Sequence, residues 1–229
     1  MPRDVAAIVV AAGQGVRFGS DTPKQFQLIH GIPVVLRAVQ PFLAHPDVCQ
    51  VIVVLPPAAA AQPPDFLTTV RGLSIVAGGM HRGDSVRAGL DALAAESRVV
   101  LVHDGARPFV DHDVIAEVIS YARRGESAVA AIPLSDTLKE ASRHEPSRVL
   151  RTRPRARLWR AQTPQGFPRG ILEQAHQRAV RLGRRATDDA ALVEALGLPV
   201  RLVPDSNRNL KITTAEDLAL AELLTRDEP

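Results

Sequence analysis

Two cations stand inside a glycine loop near the N-terminus. The run is Ala11-Ala12-Gly13-Gln14-Gly15-Val16-Arg17-Phe18-Gly19, followed by Pro23-Lys24-Gln25. It continues an apolar stretch, Val5–Ala11, that reads as a first strand. Gly13 and Gly15 at such a strand end let backbone N–H groups approach a phosphate closely. Three loop types compete. A Walker loop needs G-x-x-x-x-G-K-[ST], and no such string is present. A dinucleotide fingerprint needs G-x-G-x-x-G, and its third glycine position is Phe18. It also wants an acidic residue closing the second strand, where this chain has Leu55-Pro56. A loop carrying its own cations, Arg17 and Lys24, suits a triphosphate better than a buried pyrophosphate. A carboxylate follows another apolar run: Asp104 comes directly after Val99–His103. Open α/β sheets bind ligands beyond the carboxyl ends of their strands, so Asp104 is placed to help hold Mg²⁺ and to contact a ribose or an acceptor. Arg107, three residues on, can pair with a phosphate or with Asp104 itself.

Composition limits what else the chain can be. It has 229 residues, enough for one α/β domain of ordinary size. Apolar residues make up 45% and charged residues 23%, which is a globular balance. Aromatics are 3%, too few for the stacking platforms of single-stranded nucleic-acid binders. A single cysteine, Cys49, excludes a disulfide framework and a thiolate metal cluster. The net charge of +3 is too mild to imply nucleic-acid binding. No run reaches the roughly 18 apolar residues of a membrane span, and Val5–Ala12 leads into a glycine loop rather than a processing site, so a cytoplasmic location is expected. Only three of the 28 cations are lysines: Lys24, Lys139 and Lys211. In so arginine-rich a chain, each surviving lysine is a candidate for a position where a compact ammonium and a planar guanidinium are not interchangeable, the bland alternative being survival by chance; Lys139 is given no role.

The elements that must position these groups follow from the apolar pattern. Val5–Ala11, Val51–Leu55, Leu73–Ala77, Val99–His103, Ala128–Ile132 and Val200–Val203 read as buried strands, being short, branched and bounded by Gly, Pro or Asp. Val34–His45, Arg82–Ala95, Asp111–Arg123, Pro168–Leu182, Thr187–Leu196 and Thr214–Leu224 carry helical spacing. Strands alternating with helices imply parallel pairing by right-handed crossovers and a sheet covered on both faces. The rhythm breaks between Pro133 and Thr163, a polar, arginine-rich stretch without a core of its own. Such an insertion is an arm or lid that packs on something else. The expectation is one domain over residues 1–229, a mostly parallel α/β sheet of Rossmann-like build, with an extended β-arm over 134–160.

The loop A-A-G-x-G-x-R followed by P-K-Q resembles the signature loop of nucleotidyltransferases that condense a nucleoside triphosphate with a sugar phosphate. Further strings resemble one branch, the 2-C-methyl-D-erythritol 4-phosphate cytidylyltransferases. They are Gly78-Gly79-Met80-His81-Arg82-Gly83-Asp84-Ser85-Val86, Val102-His103-Asp104-Gly105-Ala106-Arg107-Pro108, Asp136-Thr137-Leu138-Lys139, Trp159-Arg160-Ala161-Gln162-Thr163-Pro164-Gln165, Thr187-Asp188-Asp189 and Asn209-Leu210-Lys211-Ile212-Thr213. They run in order along nearly the whole chain. The resemblance implies CTP and a small polyol phosphate as substrates, Mg²⁺ or another divalent cation, and a homodimer through the arm. Arg17, Lys24, Arg155 and Lys211 would be catalytic cations. Ala11, Ala12, Gly13, Gly15, Gly79, Ser85, Asp104 and Gly105 would hold the nucleotide. Asp104, Arg107, Thr137, Arg155, Thr163, Thr187 and Lys211 would hold the acceptor, with Thr137 and Arg155 delivered to the neighbour's pocket. The chain departs from the pattern at Met80, where the family often has an acid, and at Gly105, where it commonly has alanine.

Bland readings stand beside these. Loop cations are often merely solvated, and Asp104 can cap a turn. Ser85, Thr187 and Thr213 sit where helix caps sit. The Arg151–Arg157 run can be a solvated basic face. Two other functions remain open at this stage: a cytidylyltransferase for another polyol phosphate such as ribitol 5-phosphate, and a non-catalytic nucleotide-binding module on the same fold. One piece of chemistry favours transfer. A phosphate nucleophile has its second pKa near about 6 and needs no general base. Of the seven histidines only His103 and His81 fall in these strings.

Overall fold

Alternation within each strand decides how this chain layers. In a computed structural model, which describes residues 3–13 and 22–226, strand β1 (Val5–Val10) sends Val5, Ala7 and Val9 to one apolar cluster and Ile8 to another. The chain then runs through β2 (Leu28–Ile29), β3 (Ile32–Pro33), α1 (Val34–Ala44), β4 (Val48–Leu55), the short helices α2 (Pro57–Ala61) and α3 (Asp65–Thr68), β5 (Leu73–Ala77), α4 (Arg82–Asp91), β6 (Val99–Asp104), α5 (His112–Arg123) and β7 (Ser127–Pro133). It continues as β8 (Leu138–Ala141), β9 (Val149–Arg153), β10 (Trp159–Pro168), α6 (Arg169–Arg181), α7 (Ala190–Glu194), β11 (Val200–Pro204) and α8 (Ala215–Leu224). The same alternation recurs in β4 and β6: Val51, Val53, Val99 and Leu101 join the first cluster, Ile52, Val54, Val100 and Val102 the second. Helices α1 and α5 cover the first face and α4, α6 and α7 the second, which is why every one of these strands is apolar on both sides.

Among the described residues, seven strands form the central sheet in the order β11-β7-β10-β6-β1-β4-β5. Strands β6, β1, β4 and β5 are parallel, and β11 is parallel to β7. The sheet is mostly parallel, as expected; the exception is β10, which runs antiparallel to both β6 and β7. This strand is absent from the sequence reading because W-R-A-Q-T-P-Q-G-F-P is polar and holds two prolines and a glycine, which argue against a central strand. A register shift between Ala161 and Gln165 absorbs the irregular residues. The predicted helix at Thr187 begins only at Ala190, and the one at Thr214 has Thr214 as its cap. The stretch expected as a β-arm holds a hairpin, β8 with β9, that pairs with no other described strand. Lys139, without a role in the sequence reading, pairs across it and donates to Thr152 Oγ1 at 2.8 Å.

The chain passes from β1 outward to β4 and β5, then returns to place β6 on the other side of β1. That reversal creates a crevice beyond the carboxyl ends of β1 and β6, the position where open α/β sheets take ligands. The strand ends are level, with Val10 opposite Asp104 and Leu55 opposite Ala77. The ladder continues one residue beyond them: Ala11 N–H donates to Val54 O, Gly105 N–H to Val10 O and Gly78 N–H to Leu55 O. The loops leaving the sheet are therefore fixed at their first residue.

Candidate active site

A cleft of about 700 Å³ opens at that crevice. Ala11, Ala12 and Gly13 line it from the end of β1, Pro56 and Pro57 from β4, Gly78 and Gly79 from β5, and Asp104, Gly105 and Ala106 from β6. Lys24 and Gln25 close it from a short 3-10 turn over Lys24–Phe26, and Lys211 from the segment before α8. Small residues are required where the walls meet. A Cβ on Gly78 would lie 2.6 Å from the Ala12 Cβ, and one on Gly105 would lie 2.8 Å from that of Ala11. Ser85 is buried in the first turn of α4, where its hydroxyl accepts from Gly79 N–H at 3.3 Å and donates to His81 O. The bland reading of Ser85 as a surface cap is thus replaced by a residue that shapes the glycine turn from inside.

Asp104 is the electrostatic centre. Lys211 Nζ lies 2.8 Å from its Oδ2, Arg107 Nε 3.6 Å from Oδ2, and Arg82 Nε 3.8 Å from Oδ1. Burial alone would raise this carboxyl, but Lys211, Arg82 and Arg107 hold it far below the usual carboxylate range. It is an anion at any physiological pH, aimed by cations from three separate segments.

Behind Asp104 a buried network fixes the geometry. The Asp104 N–H donates to Thr163 Oγ1 at 3.0 Å, and Thr163 Oγ1 meets His103 Nδ1 at 3.0 Å. His103 Nε2 meets Arg107 O, also at 3.0 Å. Burial pushes the His103 imidazole down to about 4, so it is neutral. Arg107 O can only accept, so the proton of the neutral His103 ring sits on Nε2; Nδ1 is then an acceptor, and the Thr163 hydroxyl gives its proton to it. His103 is therefore structural, tying Arg107 O to Thr163. Asn209, fully buried, anchors the Lys211 segment: its Nδ2 donates to Thr163 O at 2.8 Å, and its carbonyl accepts from Arg107 Nη1 at 2.6 Å and Gln162 Nε2 at 3.0 Å. Ile212 N–H adds a bond to Ala106 O. Lys211 is thus clamped to β6 and β10 from both sides.

The structure brings together Ala11, Ala12, Gly13, Lys24, Gly79, Ser85, Asp104, Gly105 and Lys211. Gly15 and Arg17 lie outside the described residues. Thr163 and Arg107 are buried behind the cleft lining, their polar groups turned to Asp104 and Asn209. Thr137, Arg155 and Thr187 are exposed and do not line the cleft of their own chain. Arg155 binds Ser135 O across the base of the hairpin. Sequence reasoning passed over Arg82, quoted only within its string. Arg82 lines the cleft and bridges Asp104 to Asp189, whose Oδ2 accepts from its Nη1 at 2.7 Å.

Among the described residues no group of three or more His, Cys, Asp or Glu side chains is arranged to hold a metal ion. The donor chemistry nevertheless fits Mg²⁺ held mainly by substrate. That ion keeps several waters and takes one or two carboxylates plus phosphate oxygens. Asp104 offers Oδ1, which Arg82 approaches only to 3.8 Å. Among the described residues, no helix is long and apolar enough to cross a membrane.

Comparison with known proteins gives a consistent result. The family model described as 2-C-methyl-D-erythritol 4-phosphate cytidylyltransferase matches residues 5–227. A protein of that name from Syntrophus aciditrophicus is 42% identical over 234 residues, covering 100% of this chain and 98% of the relative. A bifunctional enzyme IspD/IspF from Rhodospirillum rubrum is 44% identical over 98% of this chain, which spans 58% of that longer protein. Among solved structures, the 2-C-methyl-D-erythritol 4-phosphate cytidylyltransferase of Thermus thermophilus superposes with a TM-score of 0.81 at 38% identity, covering 97% of this chain and 99% of that one. The 4-diphosphocytidyl-2C-methyl-D-erythritol synthase of Anaerococcus prevotii gives 0.84 at 26% identity over 97% and 96%.

Proposed function

We infer the reaction from one premise: the chain belongs to the 2-C-methyl-D-erythritol 4-phosphate cytidylyltransferase family. It is a nucleotidyltransferase that condenses CTP with 2-C-methyl-D-erythritol 4-phosphate, giving 4-diphosphocytidyl-2-C-methyl-D-erythritol and pyrophosphate, in non-mevalonate isoprenoid precursor synthesis. The observation that carries this reading is the convergence of Lys24, Asp104 and Lys211 on one cleft whose other walls are Ala11–Gly13 and Gly78–Gly79.

The acceptor phosphate oxygen attacks the α-phosphorus of CTP, one P–O bond forms, the bond to the β-phosphate oxygen breaks, and pyrophosphate leaves. Both reactants are anions, so the work is positioning and neutralisation rather than proton transfer. Main-chain groups of Ala11–Gly13 and Gly79, with Ser85 shaping the turn, hold the nucleoside. Lys24 and Arg17 hold the triphosphate and meet the charge that grows on the α-phosphate. Lys211 faces the same centre while clamped to Asp104. Asp104, together with the triphosphate oxygens, would hold a divalent cation, which would supply further charge neutralisation.

Thr137, Arg155 and Thr187, with Arg107 and Thr163 behind the wall, remain our acceptor-side residues. A two-stranded hairpin is marginal alone, and Val149, Leu150 and Leu158 on this arm are exposed. A homodimer in which the arm brings Thr137 and Arg155 to the neighbouring cleft accounts for their distance from their own. We place the reaction in the cytoplasm. The test is pyrophosphate release from a panel of nucleotides and acceptors with Mg²⁺. CTP with methylerythritol phosphate should be the productive pair. Turnover with ribitol 5-phosphate instead would replace the acceptor, and CTP binding with no turnover on any acceptor would reduce the protein to a binding module.

A further inference from the structure

Asp189 lies behind α4, on the far side of the cleft wall, with a side chain only 1% exposed. Its Oδ2 accepts from Arg82 Nη1 at 2.7 Å and its Oδ1 from His176 Nε2 at 2.9 Å. Its own N–H is tied to Gln165 Oε1 at 3.1 Å, and that oxygen also accepts from Ala190 N–H. A buried carboxylate is costly unless it is paired and hydrogen-bonded, and both oxygens of this one are met. Asp189 is therefore a rigid post, built from β10, α6 and the start of α7. Neither Asp189 nor His176 touches the nucleotide cleft. Both line a second hollow of about 480 Å³, and Arg82, with its neighbour His81, lines both spaces.

Arg82 has an acid on each side. Its Nη1 is fixed on Asp189, and its Nε stands 3.8 Å from Asp104 Oδ1, outside hydrogen-bond reach. We propose that Asp189 is a positioning residue for the transfer reaction: it restrains Arg82 from closing fully on Asp104, and so keeps Oδ1 open and aimed at the nucleotide. Without the anion on Asp189, Asp104 is the carboxylate left within ion-pair distance of Arg82, since Asp188 acts on it only from farther away and is held by Gln165 Nε2 and Ala191 N–H, and Arg82 turns onto Asp104. Asp104 is then masked on both oxygens, by Arg82 on one side and Lys211 on the other. The simpler alternative is that Asp189 only ties α7 to α4.

The two differ in what they do to CTP. The test uses the intact protein and the variants Asp189→Asn, Arg82→Gln and their combination. Readouts are kcat and KM for each substrate, CTP affinity by calorimetry without metal, and melting temperature. Asp189→Asn is expected to lower kcat/KM for CTP about 10- to 100-fold, as removal of a partner behind a functional ligand does, with a parallel loss of CTP affinity and an unchanged acceptor KM. The double variant should be no worse than the poorer single one, because both act through one contact. A lowered melting temperature with wild-type CTP affinity and kcat/KM would overturn the proposal. So would losses that multiply in the double variant. If Asp189→Asn alone fails to fold, Arg82→Gln and the double variant decide: with no guanidinium left to restrain, adding Asp189→Asn to Arg82→Gln should leave CTP affinity unchanged, and a further loss overturns the proposal. The inference rests on the cytidylyltransferase reading, yet the binding arm judges Asp189 independently. A wild-type protein that releases no pyrophosphate would sink the reading of function and leave the calorimetry to settle Asp189.

Discussion

Lys211 is held within 2.8 Å of Asp104 by a segment that is itself pinned through Asn209, so its ammonium has little freedom. Preorganised charge of this kind is worth most in transition-state stabilisation. Lys211→Ala and Lys24→Ala should each lower kcat by about 10²-fold or more, comparable to losing one preorganised donor, while circular dichroism and melting stay near wild type. His103 makes a prediction about stability. Its folded value of about 4 lies below its ordinary 6.5, so between those values the unfolded chain binds a proton that the native chain does not. Its contribution is fully present above pH 6.5 and is lost as pH falls toward 4, at about 1.4 kcal/mol per pH unit within that window. Urea titrations at about pH 7.5, 6 and 5 should show that slope, and His103→Asn should flatten it even if its absolute stability is lower. Lys24, Asp104 and Lys211 were legible in the sequence because rare lysines and a strand-end acid announce themselves by type and place. Arg82 was not: the partner that makes sense of it, Asp189, is 107 positions away.

At the scale of elements, β10 shows where pattern reading ends. Its prolines, glycine and polar side chains hide a strand that is central in the sheet. The same irregularity is useful: the four-residue step of β10 from Ala161 to Gln165 faces a two-residue step of β7. The extra residues, Gln162 and Thr163 among them, reach Asn209 and Asp104. The short apolar strands were legible because their cores lie on both faces, and α8 because Thr214 and Asp217 form a reciprocal cap. Asn209→Ala tests the clamp between β10 and the Lys211 segment. It removes the donor to Thr163 O from a fully buried site, and an unsatisfied buried group costs about 1–3 kcal/mol. The variant should melt at a lower temperature. It should also lose kcat when assayed well below that temperature, because Lys211 two residues away loses its anchor. Reduced stability with intact kcat would show that Lys211 positions itself.

The whole molecule raises the question of the arm. Within one chain the cleft lacks Thr137, Arg155 and Thr187. The hairpin offers arginines paired to Glu140 beside exposed Val149 and Leu150. A polar insertion without a core was legible as a break in the strand–helix rhythm, and a hairpin stands there, but what covers its exposed apolar residues was not, since nothing in the pattern of one chain identifies it. If the arm completes the neighbour's site, Arg155→Ala should chiefly harm use of the acceptor. Mixing inactive Arg155→Ala and Lys24→Ala subunits should then restore activity, because the heterodimer has one site free of both changes. Sedimentation should show a dimer for each variant.

The measurement closest to the central claim is pyrophosphate release from CTP and 2-C-methyl-D-erythritol 4-phosphate by the wild-type protein and Lys211→Ala, side by side. The predicted result is one pyrophosphate per diphosphocytidyl product for the wild type, and a rate lower by about 10²-fold in a folded Lys211→Ala. Equal rates in the two proteins, or no release by the wild type while CTP still binds, would contradict it.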